Sequence, residues 1–305
     1  MKPIGGSELM YNVVAENIGH KYQDKIHLQL CGCDEHYIND HKKNVIWQQS
    51  AHDQPCTDGM ARESYTDYMD AFVFVSNWQY DKFRTKYNVD PKRSHVIRNA
   101  TWPFEYKKKP KGKIKLIYTS TPFRGLDVVI KAFELLNRDD IELDIFSSTK
   151  IYGETFHKNH DHEFEHLYEQ ARSIKGINYM DYAPNDVIRK HLEQSHIFAY
   201  PSIFEETSCI SAIEALTAGC QAVVTNYGAL PETCGSWADY VMFNDDYLSL
   251  AHSYADVLER NINDFWSSNT QDKLFEQNKY YNRFYSWETR FKEWESLFNN
   301  LIKEA

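Results

Sequence analysis

The sequence predicts a two-domain α/β protein with parallel sheets. Three observations carry this: a length of 305 residues, strand and helix patterns that alternate along the chain, and a loss of periodicity near residues 100–112. One compact core of that length would exceed the usual domain size, so two domains are expected. Strands separated by helices of roughly 10–15 residues imply βαβ crossovers, and therefore parallel sheets with helices on both faces.

In the first hundred residues, SELMYNVVAENIGHKY (7–22) reads as a helix, and IHLQLCG (26–32) and NVIWQQS (44–50) as short strands. AFVFVSN (71–77) is a third strand, followed by the helix WQYDKFRTKY (78–87) and the strand SHVIRN (94–99). TWPFEYKKKPKGK (101–113) then breaks the pattern with two prolines and a lysine cluster, so the boundary is placed there. Lys107, Lys108, Lys109, Lys111, Lys113 and Lys115 read as a solvated linker, with a phosphate or membrane-surface patch as the alternative. Beyond it come the strand KIKLIYTS (113–120), the helix LDVVIKAFELL (126–136) and the strand IELDIFSS (141–148). INYMDY (177–182), the helix NDVIRKHLEQS (185–195) and the strand HIFAYPS (196–202) follow, then QAVVTNY (221–227) and ADYVMF (238–243). The last helix, 286–305, has Ser286 as N-cap. Its Trp287, Phe291, Trp294, Phe298 and Leu301 form one apolar stripe suited to core packing.

Composition narrows the function classes. With 42% hydrophobic and 26% charged residues the chain suits a soluble globular protein. No apolar run approaches the roughly 20 residues needed to cross a bilayer, and MKPIGGSELMYN lacks the apolar core of a signal peptide. The six cysteines show no paired metal spacing, and reduced thiols in a cytoplasmic protein are expected. The net charge is −10, and the acidic excess lies beyond residue 108, which argues against nucleic acid as a partner. Membrane contact is not indicated. HKNHDHEFEH (157–166) is the one metal-like cluster, with His162 and His166 four apart on an expected helix face beside Glu163. Without a third ligand it reads as a polar insertion, and no metal is expected.

Chemistry concentrates in FEETSCISAIEALTAGC (204–220), where Glu206 and Glu214 stand eight apart. Thr207 and Ser208 are good N-caps and Gly219 suits the position past a helix end, so a helix is expected over roughly 208–218. Glu206 then precedes the helix and Glu214 lies inside it. The amides of Ser208, Cys209 and Ile210 fall at its N-terminus, where unpaired N–H groups attract anions, phosphate above all. Carboxylates flanking an anion site suit a nucleotide sugar. Ser211-Ala-Ile-Glu214 as a capping box, with Glu206 an ordinary loop acid, is the competing reading. In YTSTPFRGLDVVIKAF (118–133), Ser120 lies in a small-residue loop after a strand, and Arg124 is the only cation between Lys115 and Lys131. An arginine in that position can hold a phosphate pair bidentately, or else lie on the ordinary surface.

The two glutamates eight apart, followed by Ala-Leu-Thr-Ala-Gly (215–219), resemble the signature of retaining GT-B-fold glycosyltransferases of the family-4 type, the glycosyl transferases group 1. Gly5-Gly6-Ser7-Glu8 resembles the family's glycine-rich first loop, and SAHDQP (50–55) the segment with an acceptor-side histidine, His52. AFVFVSNWQYDKF with VIRNAT, TSTPFRGLDVVIKAF and NYGALPET (226–233) resemble three further segments in the family's order.

The resemblance implies two Rossmann-like domains facing a cleft. Residues 1–108 would form a small acceptor-side domain with its first strand apparently missing, 109–285 the nucleotide-sugar domain, and 286–305 a helix crossing back to the first. It implies that Glu214 binds the donor ribose and Glu206 the transferred sugar. Arg124, Ser120 and the amides of Ser208 to Ile210 would hold the diphosphate, with Gly6 approaching it from the other domain. His52 would touch the sugar or orient the acceptor, and backbone near Met180 to Tyr182 would meet the base. The activity implied is sugar transfer from a UDP- or GDP-type donor to a carbohydrate, lipid-linked or other hydroxyl acceptor, with retention and no cofactor. The sequence departs from the family at Tyr118, where many members carry a second cation six residues before the one matched by Arg124. A sugar-nucleotide epimerase and a non-catalytic nucleotide-sugar-binding protein are the alternatives.

Overall fold

The computed structural model describes residues 5–303, which fall into two units, one built chiefly from 6–100, 206–208 and 285–303 and the other from 101–205 and 209–284. The expected lack of a first strand falls on residues 1–4, and the last two residues of the crossing helix on 304–305. Both lie outside the described residues.

The first unit holds a four-stranded parallel sheet in the order β1 (Ile26–Leu30), β2 (Lys43–Trp47), β3 (Ala71–Phe74), β4 (Ser94–Val96). Val45, Ile46, Phe72, Val73 and Phe74 are fully buried, which is why these short runs are apolar without alternation. Helix Asn77–Tyr87 starts where the Ser76 hydroxyl accepts from the Gln79 amide, and stops at Asn88 in the left-handed region. The chain's last helix, Trp287–Lys303, packs in this unit. Ser286 caps it by accepting from Thr289 N–H at 3.2 Å. Trp294 meets Trp47 edge-on at 4.8 Å, Phe298 meets Tyr22 at 5.1 Å, and Lys21 pairs with Glu295 at 2.6 Å. Of the sequence stripe, Trp287, Trp294, Phe298 and Leu301 are buried and Phe291 half-buried.

The second unit holds six parallel strands, β5 (Ile114–Thr119), β6 (Ile141–Phe146), β7 (Ile177–Tyr179), β8 (Ile197–Tyr200), β9 (Gln221–Thr225) and β10 (Ala238–Val241). Their order is β10-β9-β8-β5-β6-β7. Strand order therefore reverses between β5 and β8, and ligands bind such sheets beyond the carboxyl ends at that point. Helix Leu126–Leu136 has the bounds the sequence predicts, because its apolar face is continuous and Asn137 ends it in the left-handed region. Two long helices, Tyr247–Asp264 and Ser268–Phe284, complete the unit. Among the described residues no helix is long and apolar enough to cross a membrane.

Two readings are corrected. The histidine-rich stretch is divided among helix Glu154–His160, a 3-10 turn Asp161–Phe164 and helix Glu165–Ser173. His162 and His166 therefore belong to different elements and share no helix face. The lysine cluster is not a uniformly solvated linker either. Lys109 is buried, and its ammonium donates to Leu192 O at 2.9 Å, Ala218 O at 2.8 Å and Glu193 O at 3.3 Å. Burial lowers its pKa. Lys111 lies 3.5 Å from the Trp266 ring centre.

His196 fixes the same segment. Its Nδ1 accepts from Lys115 N–H at 2.9 Å, so Nε2 carries the proton and donates to Pro110 O at 2.9 Å. Burial lowers its pKa to about 4 from the usual 6.5, with Lys109, Lys115 and Lys111 acting in the same sense. The stability this group contributes is full above about pH 6.5, where the unfolded ring is also neutral. It is lost as pH falls toward 4, because the unfolded ring takes a proton that the folded ring refuses. Thermal melts between pH 7 and 4 should therefore show a fall in Tm that His196→Gln reduces; equal pH slopes for both proteins would refute it.

Candidate active site

The loop after β5 is shaped by contacts to the loop after β8. Tyr118 OH donates to Thr121 O at 2.9 Å, and the Ser120 hydroxyl lies 3.3 Å from Tyr200 OH. Pro122–Arg124 forms a 3-10 turn, and Gly125 follows at φ 111°. A Cβ on Gly125 would stand 2.2 Å from Pro201 O, so only glycine fits. Arg124 O accepts from Ile203 N–H, and the Arg124 guanidinium lies 4.3 Å from the Phe204 ring centre. The guanidinium thus stacks on an aromatic face at the carboxyl ends of β5 and β8, half-buried. Thr119 Oγ1 and Thr121 Oγ1, and Ser147 Oγ just past the neighbouring β6, are buried without a hydrogen bond among the described residues. These hydroxyls suit a polar ligand.

Helix Ile210–Thr217 begins two residues later than the sequence suggests. Its N-cap is Cys209, left-handed at φ 54° and ψ 80° and without a side-chain cap bond. Neither expected cap serves, and for Thr207 the reason is visible. Its hydroxyl donates to Gln49 O at 2.9 Å, while its carbonyl accepts from Ser76 Oγ at 2.6 Å. The first bond of the helical ladder is Ile213 N–H to Cys209 O, so the amides of Ile210, Ser211 and Ala212 precede it. Of the three amides named from the sequence, Ile210 alone belongs to this first turn; Ser208 and Cys209 lie ahead of it. The helix ends as expected, with Gly219 at φ 73°.

The capping box does not form. Ser211 is the second residue of the helix, and its hydroxyl donates to Thr119 O at 2.8 Å. Glu214 instead turns to helix Asn185–Gln194. Asn185 Nδ2 donates to both carboxylate oxygens at 3.1 and 3.2 Å, and Arg189 stands 3.6 Å away. Burial pushes the Glu214 pKa up, opposed by Asn185 and Arg189. Asn185 and Arg189 were missed from the sequence. Their signal was a polar pair at i and i+4 just after Pro184, which names a shared face and not its target. Tyr182 is half-buried in the loop before that helix, next to Asp181 at φ 54°, which pairs with Lys150.

The remaining residues lie in the first unit. Gly6 is exposed and opens helix Gly6–Val14. The His52 carbonyl accepts from Thr57 Oγ1, Lys86 Nζ and Tyr87 OH at 2.8 to 3.0 Å. Its ring lies edge-on to Trp78 at 6.4 Å, with Nδ1 buried and unbonded among the described residues. A cavity of about 440 Å³ opens nearby between Cys33, Asp34, Tyr37, Cys56, Asp58 and Arg62, and His52 is not among its walls. Glu206 is 4% exposed and Ser208 3%. Both adjoin Thr207, whose partner Gln49 exchanges two side-chain hydrogen bonds with Asn99 at 2.8 and 3.0 Å.

The family described as glycosyl transferases group 1 matches residues 100–279, more than half of the chain and nearly all of the second unit. The chain belongs to that family. No curated protein matches the sequence. A glycosyltransferase from Rickettsia africae is similar in structure at a TM-score of 0.71 and 14% identity, over 98% of this chain and 81% of that one. The sucrose-phosphate synthase of Thermosynechococcus elongatus gives 0.71 at 12% identity, over 98% and 79%. The Anabaena protein HepE, in complex with UDP and glucose, gives 0.70 at 12%, over 98% and 84%. At these identities the likeness is one of fold, and the fold is GT-B. This member of the family is accordingly a glycosyltransferase.

The left-handed Cys209 of this transferase is a point of backbone strain, since a side chain there crowds the following carbonyl. Cys209→Gly should keep or raise the Tm, whereas β-branched Cys209→Val should cost about 1–3 kcal/mol. Denaturant melts of the two variants check this; equal stability would mean the helix start relaxes.

Proposed function

We propose that this transferase moves a sugar from a nucleoside-diphosphate sugar of the UDP or GDP type to a carbohydrate, lipid-linked or other hydroxyl acceptor. The anomeric configuration is retained, and neither metal nor cofactor takes part. The observation that carries the reading is the Glu214 carboxylate, buried at the β5/β8 reversal and held by Asn185 and Arg189 rather than used in a cap. A buried carboxylate with an oriented partner suits the ribose hydroxyls. HepE, whose structure is a complex with UDP and glucose, supports a uridine donor.

In this reading residues 109–285 are the donor domain and 1–108 the acceptor side, in a cytoplasmic protein. Arg124, Ser120 and the amides of Ser208, Cys209 and Ile210 hold the diphosphate, with Gly6 contributing its backbone. Tyr182 lies near the base, and His52 touches the sugar or the acceptor. As the sugar departs, negative charge grows on the diphosphate, and fixed donors lower the barrier there. Removing one such donor elsewhere costs about 2.7–4 kcal/mol. Glu206, three residues before Cys209, faces the transferred sugar, where positive charge develops. Incubation with donor alone separates transfer from epimerisation: a rearranged donor sugar without acceptor would overturn the proposal.

Arg124→Ala is expected to weaken UDP or GDP binding by about 1.5–3 kcal/mol, the worth of a charge-assisted contact. Arg124→Lys should recover part of that loss. Calorimetric titration decides, and an unchanged Kd in the alanine variant removes Arg124 from the site.

The two glutamates should separate kinetically. Glu214 touches a group that does not change during reaction, so Glu214→Gln should raise KM by about tenfold or more with kcat nearly kept. Glu206→Gln should instead lower kcat, because its contact strengthens in the transition state. Identical kcat and KM effects in both variants would contradict the assignment.

A further inference from the structure

Arg189 has more work than neutralising Glu214. Its guanidinium donates to Thr101 Oγ1 at 3.1 Å, Trp102 O at 3.1 Å and Pro103 O at 2.9 Å, and lies 3.6 Å from the Phe104 ring centre. The nitrogen that reaches Thr101 is the one 3.6 Å from Glu214 Oε1. Thr101 and Phe104 are themselves buried, and Phe104 is held through its backbone by Asn278 and Asn282. A planar fork stacked on a ring has one orientation, and here it is satisfied only when segment 101–104 takes this path.

We propose that Arg189 is a positioning residue that makes the orientation of the Glu214 carboxylate conditional on the conformation of residues 101–104. The inference rests on the reading that Glu214 binds the donor ribose. Nucleotide binding and order in segment 101–104 are then linked, and the linkage is reciprocal: each favours the other by the same factor. Arginine suits this and lysine does not, because a point charge cannot serve a carboxylate, a hydroxyl and two carbonyls in fixed directions.

The test uses the whole chain and titrates UDP and GDP by calorimetry, taking whichever the wild type binds. Hydrogen exchange of residues 101–104 is followed with and without that nucleotide. Exchange there should slow on binding in the wild type and not in Arg189→Met. Arg189→Met should raise Kd about fivefold or more. Phe104→Leu, which does not touch Glu214, should raise it about threefold. In the Arg189→Met background Phe104→Leu should add nothing, since its effect passes through the guanidinium. If Arg189→Met fails to fold, Arg189→Lys replaces it in the same cycle. A Phe104→Leu effect of equal size in both backgrounds, or exchange at 101–104 indifferent to nucleotide, overturns the inference. Glu214→Gln is titrated in parallel. If it leaves Kd unchanged, or the wild type binds neither nucleotide, the donor-site reading itself fails and the linkage falls with it.

Discussion

A buried ammonium ties together two helices of the second unit. Lys109 reaches the carboxyl-terminal carbonyls of helix Asn185–Gln194 through Leu192 and Glu193, and the carbonyl of Ala218 just past helix Ile210–Thr217. Helix C-termini carry partial negative charge and unpaired carbonyls, so one cation answers two helix ends at once. These are the two helices whose other residues form the Asn185–Glu214–Arg189 cluster. With their ends joined, their mutual position is fixed before any ligand arrives. Removing the ammonium would take its donor from the buried Ala218 carbonyl and leave Leu192 O with the weak Cys220 thiol.

The same economy recurs around Glu214. A carboxylate cannot be buried without partners, and residues around this one also bind other parts of the unit. Arg189 binds the chain where it enters the unit, and Ser211, one turn earlier on the helix, binds the end of β5. Changing one member therefore disturbs several others, and effects of neighbouring substitutions will not add.

Much of the fold was legible because its signals are local. β5 to β10 are apolar runs with clear breaks, and helix Leu126–Leu136 is bounded by Gly125 and Asn137. Helix Ser268–Phe284 escaped because its buried face carries Gln277, Asn278 and Thr270 and shows no apolar stripe. The cluster 107–115 was misread at Lys109 because composition cannot distinguish a buried lysine from a solvated one. The helix after Glu206 starts late because Thr207 bonds to Gln49, a residue 158 positions away. For the same reason the partners of Glu214 were invisible: Asn185 and Glu214 meet only after folding.

The polar face of helix Ser268–Phe284 has a consequence for precision. Gln277 donates to Leu216 O and Cys220 O, and Asn278 to Thr217 O and Phe104 O. An apolar seam tolerates sliding, since one methyl substitutes for another as surfaces shift. An amide matched to named carbonyls does not, because a shift of one turn breaks every bond together. This helix therefore acts as an index pin for the end of helix Ile210–Thr217 and for Phe104. Its sequence gives up apolar burial and gains a single permitted register.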